Sequence, residues 1–504
     1  MVNNQLKLGA LLNYILIVLN ALIGILYTPY MLRMLGQSEY GLYSLVASVI
    51  SYLTLMDLGL GNAVVRYTAR FRAEGKTAEQ YELFGMFFFI YLIIGLITLI
   101  LGSALYDNIE QIFGETMSII EIERAQTMVL ILIINVSVTF PMSIFGSIML
   151  AYEHFVFPRM LSIFRLILNT FVMIVLLHFG YKAVSMVITQ TIFNFLTLLL
   201  NYFYCRKKLY IKLKFTNFNF PLLKEISIYS FWIFLNVIMD RIYWSTGQFV
   251  LGATVGTIAV SIYAIAIKLE GLYMNFSTAV TSVFLPKVTA MIAKNNNREV
   301  VSDLFIKTGR IQFLIMSFVL SIFFLLGKTF ILLWAGKEYN ESFYISLLFF
   351  ISLFVPLMQN LGITILQARN QMKFRSVLYV VIAFISLGLQ IVFSKLCGPI
   401  GCGIAVSIAL FLGQGIIMNI YYYKKQGINI IKFWNQILHM SIAPILITLV
   451  FYYLQSIVNI NSWSSFFPFV TFYSIIFFIV LWIFSMNQYE KNLILQPIKM
   501  ILKK

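Results

Sequence analysis

The stretch from Ala10 to Leu32, ALLNYILIVLNALIGILYTPYML, runs for 23 residues without one charged side chain. Wound as an α-helix it reaches about 34 Å, enough to cross the ~30 Å hydrocarbon core of a bilayer. Lys7 precedes it, and no small-residue cleavage site follows, so it reads as an uncleaved first transmembrane helix. Runs of this kind recur along the whole chain of 504 residues, and their spacing predicts about fourteen such helices.

Composition requires the same class. Hydrophobic residues make up 61% of the chain and charged residues 11%, where a soluble domain carries roughly 25% charged residues. A water-soluble protein of this size would still have to present a polar surface, so the apolar surface here faces lipid. The expectation is an all-α integral membrane protein with no stretch left over for a soluble domain. A net charge of +17 would point to nucleic acid in a soluble chain. Here most of the 36 Lys and Arg fall in the segments that alternating topology places on one side. That is the signature of cytoplasmic loops, and it puts both termini in the cytoplasm. The longest outside loop, 106–127, is acidic, with Asp107, Glu110, Glu115, Glu121 and Glu123. No nucleic-acid partner is expected.

The chain divides into a six-helix lobe (1–204), a basic cytoplasmic linker (205–225), a second six-helix lobe (226–425), and two further helices with a basic tail (426–504). Arg206, Lys207, Lys208, Lys212, Lys214 and Lys224 make the linker basic enough to touch anionic membrane lipids, or simply to fix topology. Gly36 and Tyr43 recur as Gly256 and Tyr263, and Pro141, Gly146 and Ala151 recur as Pro356, Gly362 and Ala368. The offsets, 220 for the first set and 215 to 217 for the second, indicate two parallel repeats around a central cavity, an arrangement in which substrate binds near the midplane. Cys397 and Cys402 flank a Gly-Pro turn, as a local disulfide or as helix-packing residues. Cys205 reads as a free cytoplasmic thiol.

Ionisable groups inside a bilayer are expensive and mark function or internal pairing. Five lie well inside the expected spans: Asp57, Asp240, Arg241, Lys268 and Glu270. Tyr229, Trp232, Asn236, Asp240 and Tyr243 follow one another at helical spacing and form a stripe of aromatic, amide and carboxylate groups suited to sugar rings. The candidate cavity residues are therefore Lys268, Arg241, Asp240, Asn236, Trp232 and Tyr243. Asp57, Glu270 and Arg66 are candidates for coupling or gating, with H⁺ or Na⁺ as the ion; Asp57 and Arg66, nine residues apart, read equally as a gate ion pair. His154, His178 and His439 are scattered without metal-ligand spacing, and no Walker loop is present. No cofactor, metal or catalytic residue is expected.

The string Arg33-Met34-Leu35-Gly36-Gln37-Ser38-Glu39-Tyr40-Gly41-Leu42-Tyr43 resembles bacterial polysaccharide exporters of the O-antigen flippase (Wzx) type. So does Asp57-Leu58-Gly59-Leu60-Gly61-Asn62-Ala63-Val64-Val65-Arg66-Tyr67. Tyr263-Ala264-Ile265-Ala266-Ile267-Lys268-Leu269 is similar to a pattern of the wider superfamily of multidrug, oligosaccharidyl-lipid and polysaccharide (MOP) exporters. The resemblance implies a flippase of the bacterial plasma membrane. It would carry polyprenyl-pyrophosphate-linked oligosaccharide, a repeat unit of lipopolysaccharide O-antigen, capsule or exopolysaccharide, to the outer leaflet by alternating access, and polysaccharide polymerase machinery would be a partner. A multidrug or cation antiporter on the same fold is the rival, and would favour carboxylates over an intramembrane Lys and Arg. A polymerase or ligase would need a larger outer loop than 106–127.

Overall fold

The computed structural model describes residues 2–216, 218, 220–294, 297–369 and 371–502. All regular structure among them is helical, the arrangement that satisfies every backbone N–H and C=O without water. They form two compact units, Met1–Ser261 and Ile262–Lys504.

The first unit contains α1 (Val2–Leu53), a 3₁₀ turn (Thr54–Asp57), α2 (Leu60–Ala73), α3 (Thr77–Asp107), α4 (Ile109–Phe113), α5 (Ile119–Ala151), α6 (Val156–His178), α7 (Ala183–Lys207), α8 (Phe220–Trp244) and α9 (Thr246–Thr254). α10 (Thr257–Lys294) starts in the first unit and continues into the second. The second unit adds α11 (Arg298–Trp334), α12 (Glu341–Met358), α13 (Leu361–Ala368), α14 (Lys373–Leu410), α15 (Met418–Lys424), α16 (Ile430–Ile457), α17 (Trp463–Val480) and α18 (Gln488–Leu502).

Eleven helical stretches among the described residues are long and apolar enough to cross a membrane. This differs from the expected fourteen because two expected pairs are continuous. The first and second spans run together from Lys7 to Ala73, and the eleventh and twelfth from Lys373 to Lys424. Each stretch has a non-helical break where the sequence places a turn. α1 breaks at Gly36 (φ 78°), a left-handed position open to glycine without a Cβ penalty, and α14 breaks at Cys397 and Gly398. The expected seventh span falls on α8 and α9, outside the eleven. Gly256, the expected repeat partner of Gly36, also has a positive φ (116°), and Pro141 and Pro356 both lie inside helices.

Packing in the first unit centres on α3 and α5. Gly95 and Gly102, seven residues apart on α3, face Ser137 and Ile133 so closely that any Cβ would collide. Small residues of this kind let membrane helices approach. Tyr67, Phe84, Phe87, Tyr91, Phe145 and Cys205 fill the core beside them. Cys205, Cys397 and Cys402 are free thiols, and Cys205 is buried, donating to the Phe145 carbonyl at 3.3 Å. In the second unit the gap between α12 and α13 exposes backbone that side chains satisfy. Ser277 Oγ donates to the Leu357 carbonyl at 2.9 Å, and Asn360 Nδ2 donates to Ser277 Oγ and Thr281 Oγ1, both at 3.2 Å.

Candidate functional site

Asp57 closes the 3₁₀ turn, and Leu58 and Gly59 after it are both left-handed. This reversal aims the Asp57 carboxylate at the start of α2, where it accepts the N–H groups of Gly59 and Gly61. A carboxylate is favoured there by the unpaired N–H groups and the helix dipole. Tyr91 Oη on α3 donates to Asp57 Oδ1 at 2.9 Å. Arg66 lies on the exposed face of α2 with its guanidinium 5.8 Å from the Tyr67 ring centroid. The Tyr67 hydroxyl bonds Glu225 of α8.

Within the last turn of α8, Asp240 is exposed, Arg241 half-buried and Tyr243 buried. The expected stripe therefore passes from the surface into packed interior over three residues. Trp232 and Asn236 belong to α8, but their side chains, like that of Tyr229, lie outside the described residues. The α8–α9 junction is tied to α1 by hydrogen-bonded hydroxyls of Tyr52 and Thr246. On α10, Lys268 is half-buried and Glu270 is 4% exposed. Asp57, Arg66, Asp240 and Arg241 thus belong to the first unit, and Lys268 and Glu270 to the second.

Arg165 is absent from the expected set of charged residues within the spans. The expected fifth span begins near residue 162, which leaves Arg165 at its edge, yet α6 starts at Val156. That places Arg165 about 14 Å along the helix. Its Nη1 donates to Asn194 Oδ1 of α7 at 3.1 Å. Asn194 Nδ2 donates in turn to Asn135 Oδ1 and Thr139 Oγ1 of α5, both at 2.7 Å. Asn135 Nδ2 donates to Thr191 Oγ1 at 3.2 Å. The usable signal was Pro158, which is tolerated in the first turn of a helix and marks its start.

A second polar cluster surrounds the break in α1. Glu121, in the first turn of α5, forms a capping box with Ser118 and accepts from Ser38 Oγ at 2.5 Å and Thr257 Oγ1 at 2.8 Å. Glu39 pairs with Arg124 beside it. An open cavity of about 700 Å³ is lined by these groups and Lys182. No group of three or more His, Cys, Asp or Glu among the described residues is arranged to hold a metal ion.

The family model described as polysaccharide biosynthesis protein matches residues 30–344. The uncharacterised membrane protein EpsK of Bacillus subtilis (strain 168) is 22% identical over 461 residues, covering 89% of each chain. A solved structure of the lipid II flippase MurJ, in an inward closed conformation, aligns with TM-score 0.71 at 19% identity, covering 97% of this chain and 100% of that one. An inward-facing multidrug resistance MATE family transporter of the MOP superfamily aligns with TM-score 0.60 at 15% identity, covering 81% of this chain and 99% of that one. At these identities the structural likeness establishes the fold: a multi-helix membrane fold shared with transporters.

Proposed function

This chain belongs to the polysaccharide biosynthesis protein family, and from that membership we propose that it is a flippase for polyprenyl-pyrophosphate-linked oligosaccharide. It moves the glycan and pyrophosphate from the cytoplasmic to the outer leaflet of the bacterial plasma membrane by alternating access, while the lipid tail stays in the bilayer. The observation that carries the reading is the family match, on a fold that the lipid II flippase MurJ also adopts.

Physical chemistry supports the same cargo. A pyrophosphate leaving water needs fixed positive charge, and Lys268 and Arg241 are basic groups on helices with apolar surroundings. Lys268 lies about 16 Å along α10, near the middle of a ~30 Å core. Asp240, Tyr243, Trp232 and Asn236 complete the glycan-facing set, and Asp57, Glu270 and Arg66 serve coupling or gating. The test is a clean deletion in a strain without a paralogue. Lipid-linked oligosaccharide should accumulate on the cytoplasmic leaflet and surface polysaccharide should be lost; normal surface glycan would remove the proposal. The MATE fold favours a second reading, a multidrug or cation antiporter. Under it the deletion strain keeps its surface glycan and becomes sensitive to cationic drugs.

A further inference from the structure

A guanidinium carries five N–H donors in a rigid plane. Arg165 spends one of them on Asn194, and no carboxylate among the described residues forms an ion pair with it. The side chain is half-buried, so it is neither wholly packed away nor free in bulk solvent. A cation so deep in a helix is costly unless it is needed.

Its surroundings are built for holding it still. Asn194 offers its oxygen to Arg165 and both amide hydrogens to α5. Because Asn135 Oδ1 and Thr139 Oγ1 accept those hydrogens, the Asn194 amide is fixed in one orientation with its oxygen toward the guanidinium. Asn135 is oriented in turn by Thr191. Three helices, α5, α6 and α7, thereby aim one cation through a chain of neutral amides and hydroxyls. A purely structural arginine would more economically be neutralised by a carboxylate. Neutral partners instead leave the full charge for something that arrives.

We infer that Arg165, positioned by Asn194 and Asn135, is a binding site for an oxyanion of the transported glycolipid. Arg165 makes the contact, while Asn194 and Asn135 are positioning residues. The planar guanidinium suits either of two oxyanions: the pyrophosphate of the lipid carrier or the carboxylate of an acidic sugar. The identity of the cargo rests on the flippase reading; the site rests on the geometry of α5, α6 and α7 alone.

The test uses full-length protein in nanodiscs, titrated with inorganic pyrophosphate, a soluble uronic-acid tetrasaccharide and an uncharged tetrasaccharide. Arg165→Gln removes the charge. Asn194→Asp is nearly isosteric and sets a carboxylate against the guanidinium, cancelling its charge. It gives up the two amide hydrogens that Asn135 and Thr139 accept, and the helices stay joined through a turned Asn135 amide and a rotated Thr139 hydroxyl that donate to the new oxygen, so it decides the matter if Arg165→Gln fails to fold. Both should weaken binding of an anionic probe about tenfold or more, Arg165→Lys should retain part of it, and the uncharged probe should not respond. Weakening confined to pyrophosphate assigns the carrier, and weakening confined to the uronate assigns an acidic sugar. Unchanged affinities in both variants overturn the site, as does a wild-type protein that binds neither anion. Unchanged affinities in a protein that still flips lipid-linked glycan remove the site and leave the flippase. Charge-dependent binding in a protein that flips no glycolipid does the reverse.

Discussion

Arg310 on α11 grips Glu490 of α18 through two hydrogen bonds, Nε to Oε1 at 2.6 Å and Nη2 to Oε2 at 3.1 Å, with both side chains buried. Arg310 Nη2 also donates to the Ser485 carbonyl at 3.2 Å. Glu490 and Asn487 form a reciprocal cap at the start of α18. The pair therefore fixes where the last helix begins. Removing one partner strands a buried charge, so Arg310→Ala or Glu490→Ala should cost about 3–5 kcal/mol. A paired change to Met and Leu should cost far less. Thermal unfolding in detergent checks this; single and paired variants of equal stability would show that the bond does not anchor α18.

Tyr91→Phe removes the side-chain donor from Asp57 but leaves the Gly59 and Gly61 N–H groups in place. The variant should lose about 1–3 kcal/mol, read as a lowered unfolding temperature, without losing the protein. In vesicles, Asp57→Asn, Asp240→Asn and Glu270→Gln test coupling separately. The variant that lacks the coupling acid should transport without dependence on pH or Na⁺. Dependence retained in all three would mean that none of these acids couples transport.

His154, between α5 and α6, has Nδ1 2.8 Å from the Tyr204 hydroxyl. Burial, with Arg72 and Lys208 nearby, holds its imidazole below the ordinary value of 6.5. A depressed histidine is neutral in the folded protein when the unfolded chain already takes up a proton. Its contribution to stability is therefore intact above pH 6.5 and declines as pH falls below it. Unfolding temperatures should drop between pH 7 and 5.5, and His154→Gln should flatten part of that slope. An identical slope in the variant would contradict the assignment.

The reading of the sequence succeeded where lipid imposes the pattern. Apolar runs located the helices, and the Gly398-Pro399 turn located the break in α14, because backbone sterics act locally. It left Arg165 at the edge of a span begun near residue 162, because Pro158 and Arg159 look like a loop. In the structure that proline merely sits in the first turn of α6. It read 488–502 as a basic tail, although Asn487 and Glu490 carry capping-box spacing. The Asn194–Asn135 network joins residues 59 apart, and no local periodicity announces such a pairing.

Flipping by the reconstituted protein tests the account most directly. Vesicles carrying polyprenyl-pyrophosphate-linked oligosaccharide in one leaflet are sampled with a membrane-impermeant glycan-modifying reagent in the presence of wild-type, Lys268→Arg or Lys268→Ala protein. Wild-type protein should move the glycolipid across, Lys268→Arg should retain part of the rate, and Lys268→Ala should lose it while inserting normally. Full flux in the Lys268→Ala variant would contradict the role of that cation; no movement by wild-type protein in vesicles where it transports a cationic drug would contradict the flippase itself.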